Sequence, residues 1–228
     1  MAHSATTTLP TIDVAPLSGV VRALSLATKA NGTVVQRLLH AAIAAGCVLA
    51  LSACQTGPSA SSPMSAHHHV KTPKGYVSFC SRNVDQCSEL TLKPVKPRLT
   101  SDRYHELQWV QREVNRSIDY VSDRKLHSKS DHWTLPDRKG DCEEFAIEKR
   151  RRLIELGWPR NALLLAVAKT PNGVGHLVLV VATDKGDYVL DNRQRDVKPW
   201  SWLGYRWISR QSQERDVDWV SLRARRKS

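Results

Sequence analysis

Residues 163–191 read LLLAVAKTPNGVGHLVLVVATDKGDYVLD, three apolar runs parted by two short polar turns. Runs of this length, rich in Val and Leu and bounded by Thr170-Pro171-Asn172-Gly173 and Asp184-Lys185-Gly186-Asp187, are strands, and turns so short join strands as an antiparallel meander. Upstream, Thr100-Ser101-Asp102 offers helix-capping oxygens. Leu107, Val110, Val114, Ile118 and Val121 then recur at spacings of 3, 4, 4 and 3, a single helical stripe. A second helix is predicted over 142–156, stopped by Gly157 with Pro159 beyond, and it places Cys142, Ala146, Leu153 and Leu156 on one face. Residues 75–80 read as a short strand, 123–139 as a long polar loop holding Trp133 and Pro136, and the aromatic stretch Trp200, Trp202, Tyr205 and Trp207 as the part that closes the sheet. The pattern is that of an α+β domain, helices packed on an antiparallel sheet, with no internal repeat.

The formal charge is +12. Arg22, Lys29 and Arg37 against Asp13 leave residues 1–53 at +2, so +10 belongs to the remainder. Much of it lies in Lys149-Arg150-Arg151-Arg152 and in Arg223-Ala224-Arg225-Arg226-Lys227. Such a balance suits nucleic acid or an anionic membrane surface. Aromatic side chains do not interleave with these runs as a single-strand binder requires. They read instead as a solvated helix face and a basic tail, and no nucleic-acid partner is expected.

Residues 38–53 are apolar and uncharged behind Arg37. Sixteen residues are short for a spanning helix and suit the apolar region of an export signal. The segment ends in Leu51-Ser52-Ala53-Cys54, which resembles a bacterial lipobox. Cleavage there would leave Cys54 to carry lipid, with ordinary signal cleavage as the alternative. The stretch ahead of it is long for a leader, so either the true start lies downstream or the segment stays as a signal anchor. The organisation expected is an export region over 1–54, a flexible linker over 55–74 with His67-His68-His69, one domain over 75–222 large enough to bury a core, and a basic tail over 223–228. The location expected is the periplasm or cell envelope of a bacterium, with membrane contact only through that anchor or lipid. Export orders the cysteines. Cys80 and Cys87 suit a local disulfide in an oxidising compartment, and the lack of a matching second pair argues against zinc. Cys142 is left as a lone thiol.

Cys142 opens its helix, His176 begins the second strand of the meander and Asp191 ends the third. A helix N-terminus and an imidazolium both help a thiol to ionise, and a carboxylate fixes the imidazole's tautomer and tilt. The three outline a nucleophile, its base and the group that orients the base. Asn192 is a close rival to Asp191, and Asp187 and Asp196 are further alternatives in turn-like sequence. Acyl transfer also needs oxyanion donors. The Cys142 N–H is one, and Asn115 and Trp133 are candidates for the second.

The motifs Gly140-Asp141-Cys142-Glu143-Glu144-Phe145-Ala146, Gly175-His176-Leu177-Val178 and Leu190-Asp191-Asn192 resemble those of the bacterial transglutaminase-like cysteine peptidases, of which the LapG-type periplasmic proteases are members. The resemblance spans about residues 75–222. It implies a papain-like fold, an exported location and a Cys-His-Asp triad at Cys142, His176 and Asp191. It implies a protein substrate, a large surface adhesin in LapG-type members, and an inner-membrane receptor that sequesters the enzyme. It also implies calcium beside the nucleophile, held by Asp141 and Glu143 with Glu144 nearby. Hard carboxylate oxygens suit that ion, although acids in a first helical turn also complement the helix dipole on their own. Two other readings stand beside the peptidase: a catalytically silent, lipid-tethered binding module that uses the basic surface and the aromatic C-terminal strip, and an amine-transferring transglutaminase sharing the thioester.

Overall fold

The computed structural model describes residues 61–87, 92–122 and 132–224. The export region with Cys54 and the end of the basic tail lie outside the described residues. Strands β4 (Leu163–Lys169), β5 (Gly175–Thr183) and β6 (Gly186–Leu190) form the expected meander, with Ala168 opposite His176 and Leu179 opposite Leu190. Four further strands extend it: β1 (His69–Val70), β7 (Lys198–Pro199), β8 (Arg206–Gln211) and β9 (Trp219–Ser221), in the order β1-β9-β8-β4-β5-β6-β7, every pairing antiparallel. The aromatic stretch therefore does not close an edge as expected. It leads into β8, which lies inside the sheet between β9 and β4.

The meander strands are largely apolar because both faces of the sheet are covered. Leu177, Leu179 and Val181 of β5 join the larger core with the helices, while Val178, Val180 and Ala182 pack with Met64, Leu203 and Trp207 on the other face. Helix α2 (Ser101–Ser117) starts where expected, its Thr100 hydroxyl accepting the Arg103 N–H at 3.2 Å, and it buries Leu107, Val110 and Val114. Helix α3 (Cys142–Glu155) ends at Gly157, whose N–H bonds Ile154 O at 3.0 Å; Leu156 is exposed rather than part of the buried face. Short β2 (Asp119–Tyr120) and β3 (Lys139–Gly140) pair in parallel and draw the end of α2 to the start of α3.

Two expectations fail at the N-terminal side. Residues 75–80 belong to a helix, α1 (Lys74–Arg82), which buries Gly75, Tyr76 and Phe79 and leaves Val77 exposed. An apolar run this short does not reveal its period, and the contacts of Tyr76 with Trp133 and Trp219 decide it. The disulfide expected between Cys80 and Cys87 is formed, with a Cα separation of 5.6 Å. The second failure is the linker, whose described part, from Ser61 onward, is packed on the domain. Met64 is buried and gives its N–H to Asp187 Oδ2 at 2.8 Å, Ser61 N–H bonds Lys185 O at 2.9 Å, and β1 pairs with β9. Gly186 has a φ of 97°, and a Cβ there would collide with the Ser61 carbonyl, so only glycine fits under this strap.

The basic run of α3 is not a solvated face either. Arg150 is buried, pairs with Asp216 at 2.6 Å and donates to the carbonyls of Leu163 and Gln86. Arg151 and Arg152 clasp Glu148. Lys149 is 0 % exposed, and its Nζ, 5.8 Å from the centre of the Phe145 ring, has no hydrogen-bond partner among the described residues. Burial pushes this amine down from 10.5 to about 7. The unfolded chain then holds a proton that the native state lacks across that window, so this group makes stability rise with pH from about 7 to 10.5. Lys149→Met is expected to stabilise the neutral-pH protein by about 1–3 kcal/mol. In urea unfolding the margin should shrink as pH rises through the window; a destabilised variant would show that the amine is satisfied.

Candidate active site

The start of α3 is fixed by its own first turn. Asp141 is the N-cap, and its carboxylate accepts the Glu143 N–H. Glu144 folds back so that Oε2 accepts the Asp141 N–H and Oε1 the Thr134 N–H, each at 2.9 Å. This reciprocal cap satisfies donors that a helix start otherwise leaves open. Gly140 makes room for it, since a Cβ there would collide with the Glu144 side chain. Both Glu144 oxygens accept backbone N–H groups in a buried cap, and Glu144, expected as a third acidic ligand, is not in the cluster that Asp141 and Glu143 form with Cys142.

Cys142 is the first residue of α3, and its Sγ donates to Glu143 Oε2 at 2.9 Å. Burial pushes the thiol strongly upward, the Glu143 carboxylate adds to that, and a hydrogen bond from the Leu177 N–H opposes it. The expected ionising help from the helix start is therefore outweighed. Glu143 is itself pushed up to about 9, by burial first and by the adjoining Asp141 next. One ligand atom each from Asp141, Cys142 and Glu143 lies within 4.8 Å of the others. Asp141 and Glu143 are the oxygen donors that could hold a hard cation.

His176 and Asp191 meet where the expected strand ends do, Nε2 to Oδ1 at 2.7 Å. That leaves Nδ1 for the cleft. Asp191 is 1 % exposed. Its Oδ1 also accepts the Arg193 N–H at 2.8 Å, and its Oδ2 accepts the Tyr205 hydroxyl at 2.5 Å. Burial alone would raise this carboxyl, but the bonds from His176, Tyr205 and Arg193 win and hold it below its ordinary range. Tyr205 also sets its ring edge-on to His176, at 5.7 Å and 88°, and its own hydroxyl is pushed up to about 12 by burial and by Asp191. The other candidates lie elsewhere: Asp187 holds the Met64 N–H, and Asp196 pairs with Arg112. Asn192 lines the cleft without taking the bond to His176.

Cys142, His176, Asn115, Tyr120, Asn192 and Arg193 are among the side chains that line one cleft of about 500 Å³. Asn115 reaches it as expected, but its amide N–H groups go to the backbone carbonyls of Asp191 and Gln194, at 3.4 and 2.9 Å. Gln111, one turn earlier, grips the same two carbonyls at 2.7 and 2.6 Å. The pair clamps the turn after β6 rather than waiting for an oxyanion. Trp133 is buried in the core against Tyr76 and Trp219 and is not among the cleft-lining residues. Sequence reading missed Tyr205 and Gln111. Gln111 carries a faint signal, a polar residue between Val110 and Val114 and one turn from Asn115. Tyr205 carries none, because its contact depends on how the 3₁₀ turn Trp200–Trp202 folds back.

A family model described as bacterial transglutaminase-like cysteine proteinase matches residues 66–227. Among solved structures, Legionella pneumophila LapG is similar at 25% identity over 51% of this chain and 67% of that one, with a TM-score of 0.44. Its EGTA-treated form is similar at 25% identity over 51% and 66%, with a TM-score of 0.44. The calcium-bound form of LapG is similar at 21% identity over 71% and 86%, with a TM-score of 0.46. No curated protein matches the chain.

Glu143→Gln removes a carboxylate that forms only as pH rises toward about 9, so it is expected to raise the thiolate fraction about tenfold or more in the alkaline range and little at neutral pH. Iodoacetamide labelling of Cys142 measures it, and an unchanged alkaline rate would leave burial as the sole cause of the raised thiol. Tyr205→Phe is expected to move the Asp191 carboxyl upward and to cost about 1.5–3 kcal/mol at neutral pH. A carboxyl held low stabilises the fold above its unfolded value and loses that contribution in acid. The cost should therefore shrink as acid protonates Asp191 in both proteins, which carboxyl NMR titration and unfolding curves would follow together.

Proposed function

The chain belongs to the bacterial transglutaminase-like cysteine proteinases, and from that premise we propose that it is an exported cysteine peptidase that opens a peptide bond of a cell-surface protein through a thioester on Cys142. The observation that carries the reading is the His176–Asp191 bond of 2.7 Å at the wall of the cleft that Cys142 also lines. Asp191, held as an anion, accepts a hydrogen bond from the Nε2–H of His176 and so leaves Nδ1 as the base. Cys142 passes its proton to Nδ1 as Sγ attacks the substrate carbonyl, and the Cys142 N–H at the helix start faces the oxygen that becomes negative. His176 then protonates the leaving amine, and the thioester remains. Water, deprotonated by His176, hydrolyses it and restores the thiol. Tyr205, Gln111 and Asn115 act through Asp191 and the turn after it, keeping the imidazole in place.

Calcium is part of this reading. The residues present fit it in part: Asp141 and Glu143 offer adjacent carboxylates, and Glu143 is raised to about 9 by burial first and by Asp141 next, so a divalent cation there would favour its charged form. Bound there, it would supply positive charge beside the nucleophile. Two such side chains do not fill the shell of that ion, so backbone carbonyls or water would complete it. The export-like residues 38–53 and the Cys80–Cys87 disulfide support a location in the periplasm or cell envelope. A surface adhesin is the substrate class this reading favours, with an inner-membrane receptor as partner.

Envelope proteomics of cells carrying the wild-type protein or Cys142→Ala tests the reading. New protein N-termini should appear only with the wild type. With a substrate so identified, Asp191→Asn should lower kcat by about 10²–10⁴-fold. Chelation should slow cleavage and added calcium restore it. Cleavage that persists in Cys142→Ala would end the proposal.

A further inference from the structure

We infer that the substrate cleft continues past the nucleophile into a basic, aromatic-walled groove that takes a carboxylate-bearing stretch of the substrate polypeptide. This deepens the peptidase reading and rests on it. A second depression, of about 410 Å³, shares Arg193 with the cleft at Cys142. The same two loops wall both. The turn between β4 and β5 gives Val174 to the first, beside Gly175 at the start of β5, and Pro171 to the second. The segment after β6 gives Asn192 to the first and Gln194 to the second. Tyr205 lines the second depression while its hydroxyl holds Asp191, the buried partner of His176 in the first, so the groove adjoins the reacting groups.

The chemistry of the groove selects its occupant. Arg193 and Lys198 supply positive charge, and no Asp or Glu is among the lining residues. Trp202, 63 % exposed, offers an uncovered indole face beside them. An extended peptide advances about 3.3 Å per residue with side chains to alternate sides. A chain laid across Cys142 and onward past Arg193 therefore brings a few of its residues over this surface. Carboxylates there meet guanidinium and ammonium donors, and the indole covers apolar atoms of the same stretch. Continuity with the thiol's cleft favours a polypeptide over other anions.

The test uses the full chain carrying Cys142→Ala and fluorescein-labelled Gly/Ala dodecapeptides. One set carries three Asp near either end, a second carries three Lys there, and a third carries no charge. In anisotropy titrations at low salt, an Asp peptide should bind about three- to tenfold tighter than its Lys counterpart. Lys198→Glu and Trp202→Ala should each erode that margin. Arg98→Glu makes the same charge change as Lys198→Glu but beside Leu99, whose N–H bonds Asp184 in the turn at the other end of β5; it should leave the margin intact. Asp and Lys peptides that bind alike would overturn the inference, as would a margin lost equally in Arg98→Glu. Wild-type protein is assayed for cleavage of the same peptides. Binding as described with no cleavage keeps the groove and counts against the peptidase reading, so the two failures are told apart.

Discussion

A carboxylate sealed from water stays charged only where donors surround it, and Asp191 is such a group. It gathers an imidazole N–H, a backbone N–H and a phenol hydroxyl, while its own carbonyl accepts from Gln111 and Asn115. Those donors come from β5, from the turn after β6, from the segment before β8 and from α2. The sheet order, the fold-back of the Trp200–Trp202 turn and the seating of α2 all converge on this residue. The direction in which His176 faces is thus a property of the whole domain rather than of one loop.

The nucleophile is shaped by opposing demands. A helix start favours an anion, and the reciprocal cap from Asp141 and Glu144 fixes that start without slack. The cap also brings acids to both sides of the sulfur, and the thiol lies in a buried wall. Burial and the Glu143 carboxylate prevail, so the structure holds Cys142 as a neutral donor to Glu143. The thiol proton is thus engaged by Glu143, and ionising Cys142 requires that bond to break.

Local signals made part of this legible in the sequence. The meander could be read because turn residues punctuate three apolar runs, and α3 because Cys142, Ala146 and Leu153 recur on one face and Gly157 closes it. His176 and Asp191 followed from being at the ends of strands whose order was readable. Contacts made across the chain were not. Residues 75–80 gave no usable period, and their helix is decided by aromatic partners far away, Trp133 and Trp219. Trp133 looked like a loop residue near the cleft because nothing local tells that it joins this cluster. The run Lys149-Arg150-Arg151-Arg152 looked solvated because charge is the usual mark of a surface; Asp216, the partner that lets Arg150 be buried, lies in the distant turn between β8 and β9. Glu144 looked like a ligand only because the family resemblance places acids near the cysteine, and an acid there has the same appearance whether it binds a cation or caps a helix.

The strap over Gly186 has an architectural consequence. Ser61 is fastened at the turn between β5 and β6, whereas Cys142 and His176 lie near the opposite end of β5, a strand of nine residues and so about 30 Å long. The polypeptide enters the domain at one pole and the sulfur lies toward the other.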